Sequence, residues 1–196
     1  DFNCQGGFVS HGLIDLRDSR FGGSVLFQGA ELTALHGQPA LNGNGVETGG
    51  ALNLCDGFTA HGRISLINVT VRSRVCFDGA ALEAPADERA LSFIGSTTAI
   101  LSLRMRKAPA GVVDLRHSKI GLLEDAPVTW PSGIVLDGAV YDSLHPALPA
   151  RERLPWLGRD PAGFVPQPYE QLAATYQRQG QDADARAVLV ARHRSM

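Results

Sequence analysis

Histidine and cysteine are the residue types in this chain that most directly offer metal or redox chemistry. His11 and His61 each precede a glycine, and they lie 50 positions apart. The three cysteines, Cys4, Cys55 and Cys76, contain no Cys-x-x-Cys pair, the spacing that thiol redox and zinc sites commonly use. We therefore predict no metal ligands, and we expect Cys55 and Cys76 to be buried as small apolar residues.

Acidic and basic residues recur together in two similar segments. Asp15 is followed by Arg17, and Asp114 is followed by Arg116, each within an Ile/Val-Asp-Leu-Arg motif. Enzymes that cleave acidic polysaccharides need several carboxylates or basic groups close together on one face. Ser65 occupies the equivalent position between the two motifs, so the row is interrupted. We predict surface ion pairs at both places and no catalytic residues.

A cofactor site is also not predicted. The glycine-rich segments at 42–45 and 49–50 are not followed by a helical pattern, whereas a dinucleotide-binding loop opens directly into a helix. We read these glycines as a loop, and we expect no cofactor.

The overall composition excludes several classes of function. Eighteen Lys and Arg against twenty Asp and Glu give a net charge of -2, which provides no electrostatic basis for binding nucleic acid. No apolar run approaches the ~20 residues that span a bilayer. Three cysteines do not form a disulfide framework, so we expect a reducing, cytoplasmic compartment. The chain begins with Asp1 and lacks a signal-peptide pattern, and we expect it to be a piece of a longer protein.

An internal repeat is the strongest pattern in the sequence. The segment 7–32 aligns without a gap with 57–82, and 11 of the 26 aligned positions are identical. Within each unit, apolar pairs such as Ile14/Leu16 and Ile64/Leu66 flank one other residue, which is the alternation of a short strand. Self-similar strands that are too short to form a core alone are typical of a solenoid.

We therefore predict a mainly β fold: a single-chain, right-handed parallel β-helix over residues 1–140. In this fold each coil covers the apolar side of its neighbours, and glycines such as Gly29 and Gly79 supply the turns. An antiparallel sandwich also contains many short strands, and it is the alternative. A sandwich does not require the same strand–turn–strand sequence to recur at a fixed spacing, so the β-helix is favoured.

The remaining residues follow a different pattern. Residues 141–167 are rich in proline, and we predict a linker that packs on the rod, with a helical turn at 151–157. Residues 168–196 are predicted to form a helical hairpin that resembles one tetratricopeptide-type repeat. In the first helix we expect one apolar stripe, and in the second a facing stripe. These stripes contain Tyr169, Leu172, Ala173 and Tyr176 in the first helix and Ala183, Ala187, Val188 and Ala191 in the second.

Two roles are open for this hairpin. It either caps the end of the β-helix, which needs protection against edge-to-edge growth, or it binds a partner. The residues of the possible partner surface are Tyr169, Tyr176, Arg178, Arg192 and Arg194.

Two motifs together resemble a known family. The Gly-Phe…His-Gly-x-Ile-x-Leu units and the block Pro-Gln-Pro-Tyr-Glu-Gln-Leu-Ala at 166–173 are similar to those of actinobacterial membrane-associated β-helix repeat proteins of unknown function, some of which carry the label "oxidoreductase". The resemblance implies transmembrane segments after the hairpin in a longer parent, so membrane attachment would lie outside this chain. It transfers no catalytic residue to any position here.

We therefore expect a non-catalytic scaffold or protein-interaction module, forming the soluble part of a membrane-associated protein and binding an unidentified protein partner. The alternative is an enzyme, either an oxidoreductase, as the family label indicates, or a β-helix that acts on glycans.

Overall fold

The strands of this protein wind into one parallel β-helix. The computed structural model describes residues 1–35, 37–85 and 88–195; His36 and Met196, the last residue of the predicted hairpin, lie outside them. In these ranges the strands form three sheets with parallel pairing, which together make a solenoid of about 6 turns.

The strands of each sheet come from successive coils. Sheet A contains β1 (Phe2–Asn3), β4 (Arg20–Phe21), β5 (Val25–Leu26), β8 (Glu47–Thr48), β9 (Leu52–Asn53), β12 (Thr70–Cys76), β15 (Thr97–Ser102), β17 (Lys119–Glu124) and β19 (Val140–His145). Sheet B contains β2 (Val9–His11), β6 (Glu31–Thr33), β10 (Thr59–His61) and β13 (Ala81–Glu83). Sheet C contains β3 (Ile14–Asp15), β7 (Leu41–Asn42), β11 (Ile64–Ser65), β14 (Arg89–Ser92), β16 (Val112–Asp114) and β18 (Gly133–Val135).

The register of sheet C confirms the prediction of a solenoid. Ile14 pairs with Leu41, and Leu41 pairs with Ile64, all in parallel strands. The two isoleucines of the sequence repeat therefore lie in one ladder rather than in separate layers of a sandwich. Because one coil lies between them, each 50-residue repeat corresponds to two coils.

The core consists of inward-facing side chains that stack in columns from one coil to the next. Phe27, Phe58, Phe77 and Phe93 are fully buried, because alternate residues of each short strand point into the rod. At the turns, Gly79 has a positive φ of 70°, which glycine adopts without strain. Ala30 and Ala80, which follow the turn glycines Gly29 and Gly79, are fully buried.

Helices follow the rod, as predicted, but the boundary differs. β19 pairs with β17 through His145, so the rod extends beyond residue 140. The helices in the described residues are α1 (Ala150–Leu157), α2 (Pro166–Arg178) and α3 (Asp182–Ser195), and a 3-10 turn spans Pro127–Thr129. α2 begins at Pro166, two residues before the predicted start of the hairpin at 168, because prolines are tolerated in the first turn of a helix.

Helix α2 caps the last strand with its side chains. The Gln171 side-chain amide donates to the Tyr141 carbonyl oxygen at 2.7 Å, and the Gln167 side-chain amide donates to the Ala139 carbonyl oxygen at 3.2 Å. The Arg178 guanidinium also donates to Tyr141, at 3.0 Å. These side chains occupy hydrogen-bonding positions that a further strand would otherwise use, so the hairpin closes this end of the sheet.

A buried ion pair joins the rod to α1. Arg153 is fully buried and donates to the Asp125 carboxylate, which is 4% exposed. The guanidinium also lies 5.4 Å from the ring centre of Trp130 and 5.2 Å from that of Trp156. Burial raises the pKa of Asp125, although Arg153 and Trp130 oppose this rise. Burying the Asp125 carboxylate is costly unless it is paired with a cation. The ion pair with Arg153 therefore holds α1 in place against the rod.

The predicted stripe of α3 is partly wrong. Val188 is buried and Ala191 is partly buried, as expected, but Ala183 and Ala187 are exposed. The helix is rotated because Asp184 faces α1, where its carboxylate accepts a hydrogen bond from the Ala150 amide at 2.7 Å. In this orientation Ala185 and Val188 are buried, and Asp184 satisfies a free amide at the start of α1.

Candidate functional site

A concave groove is formed where the longer strands of sheet A bend. In β12, Arg72 and Ser73 together oppose Ala99 of β15, because the pairing shifts between Val71 and Arg74. Such a bulge bends a strand locally. The outer surface there forms a groove of about 520 Å³ that crosses four successive coils, β12, β15, β17 and β19.

The floor of the groove is built into the backbone. A Cβ atom on Gly121 would lie 2.6 Å from the Ala99 carbonyl oxygen. In the depression that adjoins the groove, a Cβ atom on Gly49 would collide with the Gly22 carbonyl oxygen. Beneath the bend, the buried Thr98 hydroxyl donates to the Ile100 carbonyl oxygen at 3.0 Å. The concavity therefore depends on residues without side chains at the bend and on a threonine that fixes it from inside.

The walls of the groove carry hydroxyl and charged groups. Thr70, Thr97 and Lys119 pair in register across β12, β15 and β17, and they are exposed on one wall. Arg72 and Asp142 are exposed at the bend. The groove thus combines hydrogen-bonding hydroxyls, two cations and one carboxylate.

The groove continues toward the first coil. A second depression of about 370 Å³ shares Thr70 and Arg72 with the first. Arg20 and Glu47 line it and form an exposed ion pair at 3.3 Å. These charges already neutralise each other, so Arg72 and Lys119 provide the positive character of the groove.

Beyond the bend, charged side chains connect three coils. Asp78 accepts from Arg104 and Ser102, and Glu124 accepts from Arg74. Burial alone would raise the pKa of Asp78, but the hydrogen bonds from Arg104 and Ser102 outweigh it and lower the pKa below its usual value. Asp78 also lies at the predicted turn, so it is a turn residue held in an ion-pair network.

His61 lies between carboxylates of the neighbouring coils. Its Nδ1 atom is 3.0 Å from Glu83, and its Nε2 atom is 3.7 Å from Glu31. The His61 side chain thus contacts a carboxylate on each of the two neighbouring coils. His11 and His61 both pair with Thr33 from opposite sides, so a coil separates them.

The cysteines agree with their predicted burial. Cys55 and Cys76 are 5% and 7% exposed, and Cys4 is half-buried. Burial, together with the neighbouring Cys76, raises the pKa of the Cys55 thiol. The thiol form therefore persists at neutral pH, which makes Cys55 a poor nucleophile.

Both predicted Asp–Arg ion pairs are present. Arg17 contacts Asp15 at 2.6 Å, and Arg116 contacts Asp114 at 2.7 Å. The first pair is at the surface, as predicted, but the Asp114 side chain is fully buried and also accepts from Arg89 at 2.7 Å. Burial would raise the pKa of Asp114, but the hydrogen bonds from Arg116 and Arg89 outweigh it and lower the pKa.

The structure separates the residues of the possible partner surface. Tyr169 and Tyr176 are 8% and 3% exposed, so they belong to the apolar stripe and not to an outer surface. Burial raises the pKa of Tyr176 to about 12, and its hydroxyl donates to the Leu148 carbonyl oxygen at 2.6 Å. Tyr176 is therefore a packing residue of the cap.

The three arginines of that surface differ from one another. Arg178 is bonded to the last strand, and Arg192 donates to Glu170 at 2.6 Å, which joins α3 to α2. Arg194 is exposed near the end of α3. The five residues do not form one continuous exposed patch.

The sequence analysis did not identify the groove, nor the polar residues of α2 that bond to the end of the rod. The small residues Gly49, Ala99 and Gly121 were the available signal for the groove, but their alignment depends on the bulge. Gln167 and Gln171 are four positions apart, and together with Thr175 they lie on one face of the helix. That spacing was visible in the sequence.

Comparisons with known proteins give no match. No family model, curated protein or solved structure matches this chain. Among the residues that the structure describes, no cluster of three or more His, Cys, Asp or Glu is arranged to hold a metal ion. In the same ranges, none of the helices has both the length and the apolar character needed to cross a bilayer.

Proposed function

We propose that this protein is a non-catalytic scaffold that binds an extended polypeptide segment of a partner in the groove of sheet A. The observation that carries the proposal is the groove itself, where Gly121 lies so close to the Ala99 backbone that it leaves no room for a side chain. A rigid concavity loses little conformational entropy on binding, which favours recognition of a flexible segment.

The chemistry of the walls indicates what such a segment contains. Thr70 and Thr97 offer hydroxyls to the peptide groups of an extended chain. Arg72 and Lys119 are exposed cations that favour an acidic side chain. We therefore expect an extended partner segment with at least one Asp or Glu.

The side of the rod supports this role better than the hairpin does. Tyr169 and Tyr176 are buried, and Arg178 is bonded to the rod. These contacts commit the hairpin to capping. Membrane association of a longer parent remains part of the proposal and depends on the resemblance to actinobacterial membrane-associated proteins.

A displayed library of random linear peptides tests the proposal. Peptides selected on the wild-type chain are measured by fluorescence anisotropy against Ala99→Trp, which fills the groove. Ala187→Trp is the matched control, because Ala187 is an exposed alanine on α3. We expect acidic peptides to be enriched and Ala99→Trp to weaken their binding at least about tenfold, with Ala187→Trp unchanged. No enrichment, or equal binding by both variants, would contradict the proposal.

The arrangement of His61 favours one alternative, an acid–base enzyme. Glu83 lies 3.0 Å from Nδ1 of His61, so the carboxylate can orient the imidazole for proton transfer. A glycan-degradation assay on wild-type and His61→Gln protein tests the glycan-acting version. An absorbance scan and mass spectrum of the purified chain test the oxidoreductase version. A bound flavin or nicotinamide, or turnover lost in His61→Gln, would replace the scaffold proposal.

A further inference from the structure

The groove of sheet A is longer along the rod than across it. Each of its four coils contributes no more than three successive positions to the lining, which are 70–72, 97–99, 119–121, and 140 with 142. Neighbouring coils lie about 4.8 Å apart, so the four strands span about 14 Å along the rod, whereas three positions of one strand span only about 7 Å. An extended ligand in this groove therefore runs along the rod and across the strands.

The floor of the groove is one line of residues with opposite charges at its two ends. Arg72 and Ser73 oppose Ala99 at the bulge. The register of the following strands aligns Ala99 with Gly121, and Gly121 with Asp142. Arg72 and Asp142 are exposed. A cation and a carboxylate thus stand about 14 Å apart along the floor, with small residues between them.

The two end charges are available to a ligand. In the part of the chain that the structure describes, neither Arg72 nor Asp142 forms an ion pair. Arg178 donates to the backbone carbonyl oxygens of Tyr141 and Asp142, at 3.0 and 3.3 Å. Lys119 lies on the wall, two positions along its strand from the floor line. It adds positive charge to the groove without standing at either end of the floor.

The distance between the end charges matches four residues of an extended chain. Such a chain advances about 3.3 Å per residue, so residues i and i+4 lie about 13 Å apart and point their side chains the same way. Side chains three positions apart point to opposite faces, and those two or six positions apart span about 7 or 20 Å. A separation of four therefore places one side chain over Arg72 and the other over Asp142.

We propose that the groove selects a partner segment with one acidic and one basic residue four positions apart, held by Arg72 and Asp142 at the two ends of the floor. This specificity presupposes the proposed function and adds the arrangement of charges within the bound segment. Ala99 and Gly121 leave room for the side chain midway between the two charges. The charges also fix the direction of the segment, because the reversed segment would bring like charges together.

The displayed library of random linear peptides is selected separately on the wild-type chain and on the double variant Arg72→Glu with Asp142→Arg. On the wild-type chain, we expect acidic–basic pairs at a separation of four to be enriched at least about threefold over pairs at separations of two, three or six. In fluorescence anisotropy, these peptides should bind the double variant at least about tenfold more weakly. Versions of the same peptides with the two charges exchanged should bind the double variant and not the wild-type chain.

Asp15→Arg with Arg17→Asp is the matched control, because it exchanges the charges of an exposed ion pair away from the groove. We expect this variant to bind the wild-type peptides unchanged. Lys119→Gln should weaken the binding of acidic peptides but leave the preferred separation at four. Thermal unfolding of each variant is measured in parallel, so that a loss of fold is not counted as a loss of binding.

The outcomes distinguish a failure of this specificity from a failure of the scaffold proposal. If no peptide is enriched, or if Ala99→Trp leaves binding unchanged, both are contradicted. If Ala99→Trp abolishes binding but the peptides show no preference for a separation of four, or bind the charge-exchanged variant as tightly as the wild-type chain, only the charge pairing is wrong. Enrichment at a separation of two would assign the acidic residue to Lys119, which lies about 8 Å from Asp142 across one coil, and would also overturn the pairing.

Discussion

The two ends of the rod have the same internal architecture but differ in what covers them. In the first coil, Phe8 and Ile14 point inward and are only half-buried. In the last coil, Ile134 and Tyr141 point inward and are 2% and 1% exposed, because the helices lie over them. A solenoid therefore needs additional structure, outside its repeats, to bury the apolar side of a terminal coil.

The same difference affects a polar motif that occurs near both ends. Asp15 and Asp114 each bind the arginine two positions later, at almost the same distance. Asp15 remains exposed, whereas Asp114 is enclosed and gains Arg89 from the preceding coil. The motif thus determines the local ion pair, and the neighbouring coils determine its burial.

The largest effect is expected from uncovering the capped end. Arg153→Ala leaves the Asp125 carboxylate buried without its cation, which should lower the free energy of unfolding by about 3–5 kcal/mol. Urea unfolding followed by tryptophan fluorescence measures this loss, since Trp130 and Trp156 both contact Arg153. The double variant Asp125→Leu with Arg153→Met should recover most of it. A loss below about 1 kcal/mol in the single variant would mean that the pair does not hold the cap.

A matched pair of phenylalanines compares the third coil with the first. Phe58 is fully buried, so Phe58→Ala should cost about 3–5 kcal/mol, close to the preceding effect. Phe8 occupies the equivalent position of the repeat but is half-buried, so Phe8→Ala should cost less than half as much. Urea unfolding measures both values. Equal costs would show that the first coil is as well covered as the third.

The smallest effect is expected from the two ion pairs, and it depends on pH. The folded-state pKa of Asp114 is lowered, so its contribution is fully present above the unfolded pKa of about 3.9 and is lost as pH falls through the folded value. At pH 7, Asp114→Asn should lower the free energy of unfolding by about 1.5–3 kcal/mol, and the difference should shrink toward pH 3. Asp15→Asn, at the exposed pair, should change it little. Urea unfolding from pH 3 to 7 measures both, and a pH-independent difference for Asp114→Asn would contradict this account.

Much of the rod was predictable because its pattern repeats locally. Ile14 and Ile64 stand at the same point of the repeat, and strand alternation placed both inward. The prolines after residue 145 marked the change to helices, and the stripe containing Tyr169 and Tyr176 identified the buried face of α2. These inferences need only the period of the sequence and the geometry of one element.

The groove and the position of the C-terminal helices against the rod could not be predicted from such local patterns. The groove requires Arg72 and Ser73 to oppose Ala99, and no local pattern marks that shift. The orientation of α3 depends on Asp184 reaching the first amide of α1. Each feature arises from a contact between segments that are distant along the chain.

The sequence by itself determined that short strands stack in register and that a helical hairpin follows them, because repeated alternation leaves each strand with one apolar side to cover. Only the tertiary structure decided which surfaces stay free. The tyrosines of α2 were buried because Gln167 and Gln171 hold that helix against the last strand. The bulge in β12 made one side of the rod concave. Such outcomes depend on packing between coils and cap, which a one-dimensional pattern does not encode.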